Sequence, residues 1–198
     1  MLRVRSSNLV RWGGIAAALA GLIFIVLLVL TNPQQGLAPD TVFSGSPSMV
    51  LFLGALLGQM VGVAGLHALQ RGHYGRLGTV GSLVAFAGFA LEFIAFIALS
   101  LLGGPSSAVN VVLALLLLLG ILAPFVGLVL LGVATLRARV LPRWFGVLLI
   151  VGMFVVALLV EAQLVVVGLV AYGVFWILVG YELLSSGRTE IQHPTRAR

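Results

Sequence analysis

Arginine occupies every second gap between the apolar runs of this chain and none of the gaps in between. The runs cover roughly residues 9–30, 48–70, 77–102, 108–136, 143–160 and 164–184. The gaps after the second and fourth runs carry Arg71, Arg76, Arg137, Arg139 and Arg143. The two tails and the start of the first run carry Arg3, Arg5, Arg11, Arg188, Arg196 and Arg198, which completes the 11 cationic side chains. Arginine and lysine are retained on the cytoplasmic side of a membrane. The alternation therefore predicts an all-α polytopic membrane protein with six transmembrane helices and both termini cytoplasmic, multi-pass in the plasma (inner) membrane.

Composition leaves little room for anything else. Only 8% of the 198 residues are charged and 61% are hydrophobic, whereas a soluble domain carries about a quarter charged. A hydrocarbon core of about 30 Å needs about 20 apolar residues per helix, so six spans use most of residues 1–198 as a single domain. Strands of a membrane barrel alternate in polarity; the run Val111 to Leu119 does not, and helices are expected. The first run is too long for the apolar part of a signal peptide and reads as an uncleaved first helix.

The formal net charge is +6. Its placement points to anionic lipid headgroups at the cytoplasmic face and not to nucleic acid. Cysteine is absent, which removes disulfides, thiol catalysis and thiolate metal sites. All the cations are arginine, so Schiff-base and pyridoxal chemistry on a lysine amine is excluded as well.

The connections differ in length. Residues 31–47 form the longest gap, with Pro33, Pro39, Pro47, Gly36, Gly45 and Asp40; at this density proline and glycine forbid a helix. The others are tight, including Gly72-His73-Tyr74-Gly75, Gly103 to Ser107 and Glu161-Ala162-Gln163, and short links make consecutive helices antiparallel neighbours. Arg11-Trp12-Gly13, Arg76-Leu77-Gly78 and Arg143-Trp144-Phe145-Gly146 open the first, third and fifth runs. This weak repeat is also what an inner membrane interface favours by itself. The sequence Leu141-Pro142-Arg143-Trp144, after a helix ending Leu131-Gly132-Val133-Ala134-Thr135-Leu136-Arg137-Ala138, resembles a loose group of uncharacterised six-helix bacterial membrane proteins. The resemblance is carried mainly by residues 125–155. It implies the same topology and a bacterial source, and it assigns no catalytic residue.

Few side chains offer chemistry. Gly54, Gly58, Gly62 and Gly65 form a small-residue face on the second helix, and such faces let membrane helices pack closely. Gly13, Ala17 and Gly21 on the first helix offer a partner face. Glu92 falls close to the middle of the third helix, where an ionisable group is costly and is a functional candidate by default. It shares a face with Gly81, Ala85 and Gly88, while Phe86, Phe89, Phe93 and Phe96 lie about a quarter turn away and are expected toward lipid or apolar core. No arginine lies at that depth, so the carboxyl is expected neutral and hydrogen-bonded to Gln59, at matching depth on the second helix; a proton or cation site is the functional reading. His67 is expected as an interfacial histidine, since His73 and His193 give it no partner for haem. Glu182 is expected in an ion pair with Arg188 or Arg143. Pro124 should kink the fourth helix. Glu161 and Asp40 read as solvated.

Metalloprotease, nucleophile-elbow and phosphate-loop patterns are all missing. No catalytic, cofactor-binding or metal site is expected, no cofactor is assigned, and an enzyme is not the favoured reading. The expectation is a structural or accessory integral membrane protein, in contact with the bilayer and with other membrane subunits or further copies of itself. The alternative is a small proton- or cation-coupled transporter or channel using Glu92.

Overall fold

The computed structural model describes residues 3–30, 47–102, 107–162 and 164–192. It is all-helical there: α1 (Arg3–Leu30), α2 (Pro47–Gln70), α3 (Gly75–Leu102), α4 (Ser107–Ala138), α5 (Arg143–Glu161) and α6 (Val165–Gln192). Five of the six are long and apolar enough to cross a membrane, and the apolar part of α5, Arg143–Leu159, is shorter. This is a multi-pass membrane protein. Two ends extend past the apolar runs. α1 begins at Arg3 instead of about residue 9, and α6 continues through Ser185 to Gln192, because a helix keeps its backbone bonded after its residues turn polar. Most of the loop expected over 31–47 lies outside the described residues, as do 103–106, Gln163 and His193.

The helices close into a ring. Each packs on its sequence neighbours, α6 returns to α1, and α2 and α6 also touch. The closest seams are α3 with α4 and α1 with both α2 and α6. Association in lipid depends on packing, not on exclusion of water, and the seams are built of small residues accordingly. A methyl group on Gly13 would come 2.7 Å from the Gly65 Cα, one on Gly58 2.8 Å from the Ala16 oxygen, and one on Gly62 2.9 Å from the Ala17 Cβ. Gly54, in contrast, is exposed with nothing within 4 Å, so the packing face of α2 within the chain is Gly58, Gly62 and Gly65. Gly21 belongs to a different seam from the one expected: it faces α6, where a methyl on Gly173 would come 2.7 Å from the Gly21 oxygen. α1 therefore has two small faces, one for each neighbour.

Turns at the arginine-bearing end set the register. Gly72 (φ 101°) and Gly75 (φ 63°) take left-handed conformations, which glycine adopts without steric cost. Arg139 ends α4 at φ 54°, and its N–H donates to the Thr135 carbonyl at 3.2 Å. α4 continues through Pro124, whose ring is seated against Gly88 of α3.

Candidate functional site: a polar cluster between α2, α3 and α6

The centre of the ring holds a small group of polar side chains among aromatic rings. Gln59 of α2 is fully buried. Its Oε1 accepts a hydrogen bond from the Tyr172 hydroxyl of α6 at 3.1 Å, but its Nε2 has no partner. One turn along α6, the indole nitrogen of fully buried Trp176 lies near the same hydroxyl without reaching hydrogen-bond geometry, and it too has no partner. Glu92 of α3 lies within electrostatic reach of Tyr172. The expected Glu92–Gln59 bond is not formed. Gln59 is turned toward α6, and among the described residues Glu92 makes no hydrogen bond.

The backbone at Glu92 sits against α4. A methyl on Gly120 would come 2.8 Å from both the N and the Cα of Glu92. Pro124, four residues further along α4, has no N–H to give to the Gly120 carbonyl. A carbonyl freed from the helix ladder thus belongs to the residue that touches Glu92. Gly81, Ala85 and Gly88 continue the same seam against Gly127, Leu131 and Pro124.

Aromatic side chains flank the cluster on both sides. Away from the arginines stand Phe24, Phe52 and Phe96, with Phe24 4.9 Å from Tyr172, Phe24 5.7 Å from Phe52, and Phe52 4.5 Å from Phe96 between ring centroids. Toward the arginines, Phe89 packs on Trp176 at 5.7 Å, and buried Val63, Leu66 and Ala85 complete the layer. The phenylalanine stripe is therefore divided, with Phe89 and Phe96 inside, Phe93 half-buried, and Phe86 40% exposed.

Three further polar groups lie nearer the arginine side. Fully buried Gln70 accepts from the Thr135 hydroxyl of α4 at 2.9 Å, joining α2 to α4, while its Nε2 is unpaired. His67 sits with its Nδ1 2.8 Å from the Ser82 hydroxyl and 2.5 Å from the Tyr74 hydroxyl. Tyr74 reaches it by folding its ring over Gly78. Burial pushes the Tyr74 hydroxyl above its ordinary value, against smaller opposing influences from Ser82 and Arg71, which keeps it a protonated donor. Glu182 is buried, and its backbone carbonyl accepts from the Ser185 hydroxyl at 3.0 Å; it makes no ion pair with Arg143 among the described residues, and the Arg188 side chain lies outside them. No group of three potential metal ligands occurs among the described residues.

Sequence reasoning located Glu92 and Gln59 but missed Tyr172 and Trp176 as their neighbours, and it missed the Tyr74–His67–Ser82 contact. The latter had a signal in the spacing Gly72-His73-Tyr74-Gly75-Arg76-Leu77-Gly78, whose glycines permit a tight return of Tyr74 onto the helix start. Compared with family models, curated proteins and solved structures, the chain gives no match.

Proposed function

We propose that this is a structural or accessory subunit of a membrane complex, with six crossings, its arginine-bearing end in the cytoplasm, and no catalytic role. The observation that carries the reading is that aromatic rings flank the interior polar cluster on both sides. The polar cluster at Gln59 is bounded by Phe24, Phe52 and Phe96 on one side and by Phe89 and Trp176 on the other. Gln59 and Gln70 use their carbonyl oxygens to tie α2 to α6 and to α4. The sixth crossing would be α5, whose apolar part, Arg143–Leu159, is shorter than the other five spans.

A partner surface is supported by Gly54. It lies between Val50, which is 71% exposed, and Leu57, which is 47% exposed. It leaves a notch on the outward face of α2 of the kind membrane helices use for close approach. The test is the size and composition of the protein purified in mild detergent. An assembly larger than one chain, reduced to single chains by Gly54→Leu with the helical content intact, is expected. A monodisperse single chain that Gly54→Leu does not alter would contradict the proposal.

One observation favours the second reading, a proton site. Glu92, with no hydrogen bond among the described residues, shares its surroundings with the unpaired N–H groups of Gln59 and Trp176. Polar groups of this kind inside a membrane mark proton relays in pumps and transporters. Proton flux through the reconstituted protein separates the two readings.

A further inference from the structure

Between α1, α2 and α3, close to the arginine-bearing end, lies a cleft of about 210 Å³ lined by Leu9, Val63, His67, Ser82, Leu83 and Phe86 among others. Its composition is lopsided. Leu9, Leu83 and Phe86 are 42%, 62% and 40% exposed, and with Val63 they make apolar walls that open sideways toward the bilayer. His67 and Ser82 supply the polar groups. The first is held by its contacts: Nδ1 is engaged by the hydroxyls of Tyr74 and Ser82, and Ser82 donates to the Thr79 carbonyl at 3.0 Å. In the tautomer in which Tyr74 donates to Nδ1 the ring proton is on Nε2, which has no partner among the described residues, and Ser82, whose proton goes to the Thr79 carbonyl, is then only a close neighbour of Nδ1. Arg71 lies within electrostatic reach of both His67 and Tyr74. It is exposed and forms no ion pair among the described residues.

We propose that this cleft binds an anionic phospholipid of the arginine-side leaflet, its acyl chain against Leu9, Val63, Leu83 and Phe86 and its phosphate where His67 and Ser82 meet the charge of Arg71. Ligand sites are mostly apolar with a few placed polar groups, and basic pockets between membrane helices on the cytoplasmic side take anionic headgroups. Charge decides among occupants. A guanidinium with no carboxylate paired to it among the described residues complements a phosphate that carries net charge. A zwitterionic lipid brings its own cation to the same place, and a quinone headgroup brings no charge at all.

The test uses the full chain in mild detergent, with thermal stability and lipid adducts in native mass spectrometry as readouts. Phosphatidylglycerol should raise the melting temperature and remain bound. Phosphatidylcholine at equal mole fraction should do neither. Arg71→Gln should weaken phosphatidylglycerol binding about five-fold, the effect of one arginine near a membrane surface, with the lipid-free melting temperature unchanged. Leu83→Trp, at an exposed position on the cleft rim, should block binding by filling it. Arg137→Gln, at the α4 terminus away from the cleft, should leave binding intact. The proposal fails if phosphatidylcholine binds equally well. It fails if Arg71→Gln keeps the preference or Arg137→Gln abolishes it as completely. It also fails if a quinone stabilises the protein more than phosphatidylglycerol does.

Discussion

Gln59 can donate two hydrogen bonds and accept two, yet the interior supplies it with one partner, Tyr172. Removing that partner strands a buried amide, which costs roughly 1–3 kcal/mol. Tyr172→Phe should therefore destabilise the protein by about that amount in thermal or denaturant unfolding. Gln59→Leu with Tyr172→Phe together should cost less than Tyr172→Phe alone, because no polar group is then left without a partner. Additive losses would mean that the bond at 3.1 Å does not form. Glu92 was legible in the sequence as a carboxyl well inside an apolar helix, because the extent of the run gives its position along the helix. Its surroundings were not. The face of α2 that carries Gln59 turns to α6, and Tyr172 lies 113 residues away in sequence, a pairing that no local pattern encodes. The phenylalanines show the same limit. Phe89 and Phe96 lie roughly 40–60° around the helix from Glu92, and Phe86 and Phe93 roughly 100–120°. The nearer pair turns inward and Phe86 turns out.

At the scale of elements, six apolar runs became six helices, with boundaries that moved chiefly at the polar ends of α1 and α6. Glycine spacing marked α2 as a packing helix, since i, i+4 small residues share a face. Which of the four glycines would be used depends on where α1 crosses, and periodicity does not specify that. The crossing leaves out Gly54. Gly58→Leu and Gly62→Leu should each separate α1 from α2, with losses of about 1–3 kcal/mol or more from overpacking. Gly54→Leu should be tolerated by the fold, since nothing lies within 4 Å of the position. Unfolding in detergent checks all three, and equal tolerance at Gly58 and Gly54 would place α1 elsewhere. Gly78 offers a finer case. A methyl there meets the Tyr74 ring, so Gly78→Ala should release Tyr74 from His67 while α3 itself persists. The His67 imidazole resonances in NMR should report the change, and identical resonances in the variant would contradict it.

For the whole molecule, the arginine pattern predicts which end of the bundle is cytoplasmic, because topology is set by charge near helix ends and needs no knowledge of contacts. A reporter fused after Arg198 should be active on the cytoplasmic side only. Activity on the opposite side would put every arginine in the wrong compartment. What the sequence left open was the interior. Closure of a ring is a property of how helices meet, and the aromatic and apolar layers around Gln59, Glu92 and Tyr172 come from four of the six helices, α1, α2, α3 and α6. Whether that closure describes a packing element or a stage in proton movement is decided by flux. In liposomes containing the purified protein, an imposed pH gradient should decay no faster than in empty liposomes, and Glu92→Gln should melt at the wild-type temperature. A protein-dependent proton flux that disappears in Glu92→Gln, with that melting temperature unchanged, would contradict the account and make Glu92 the centre of a transport site.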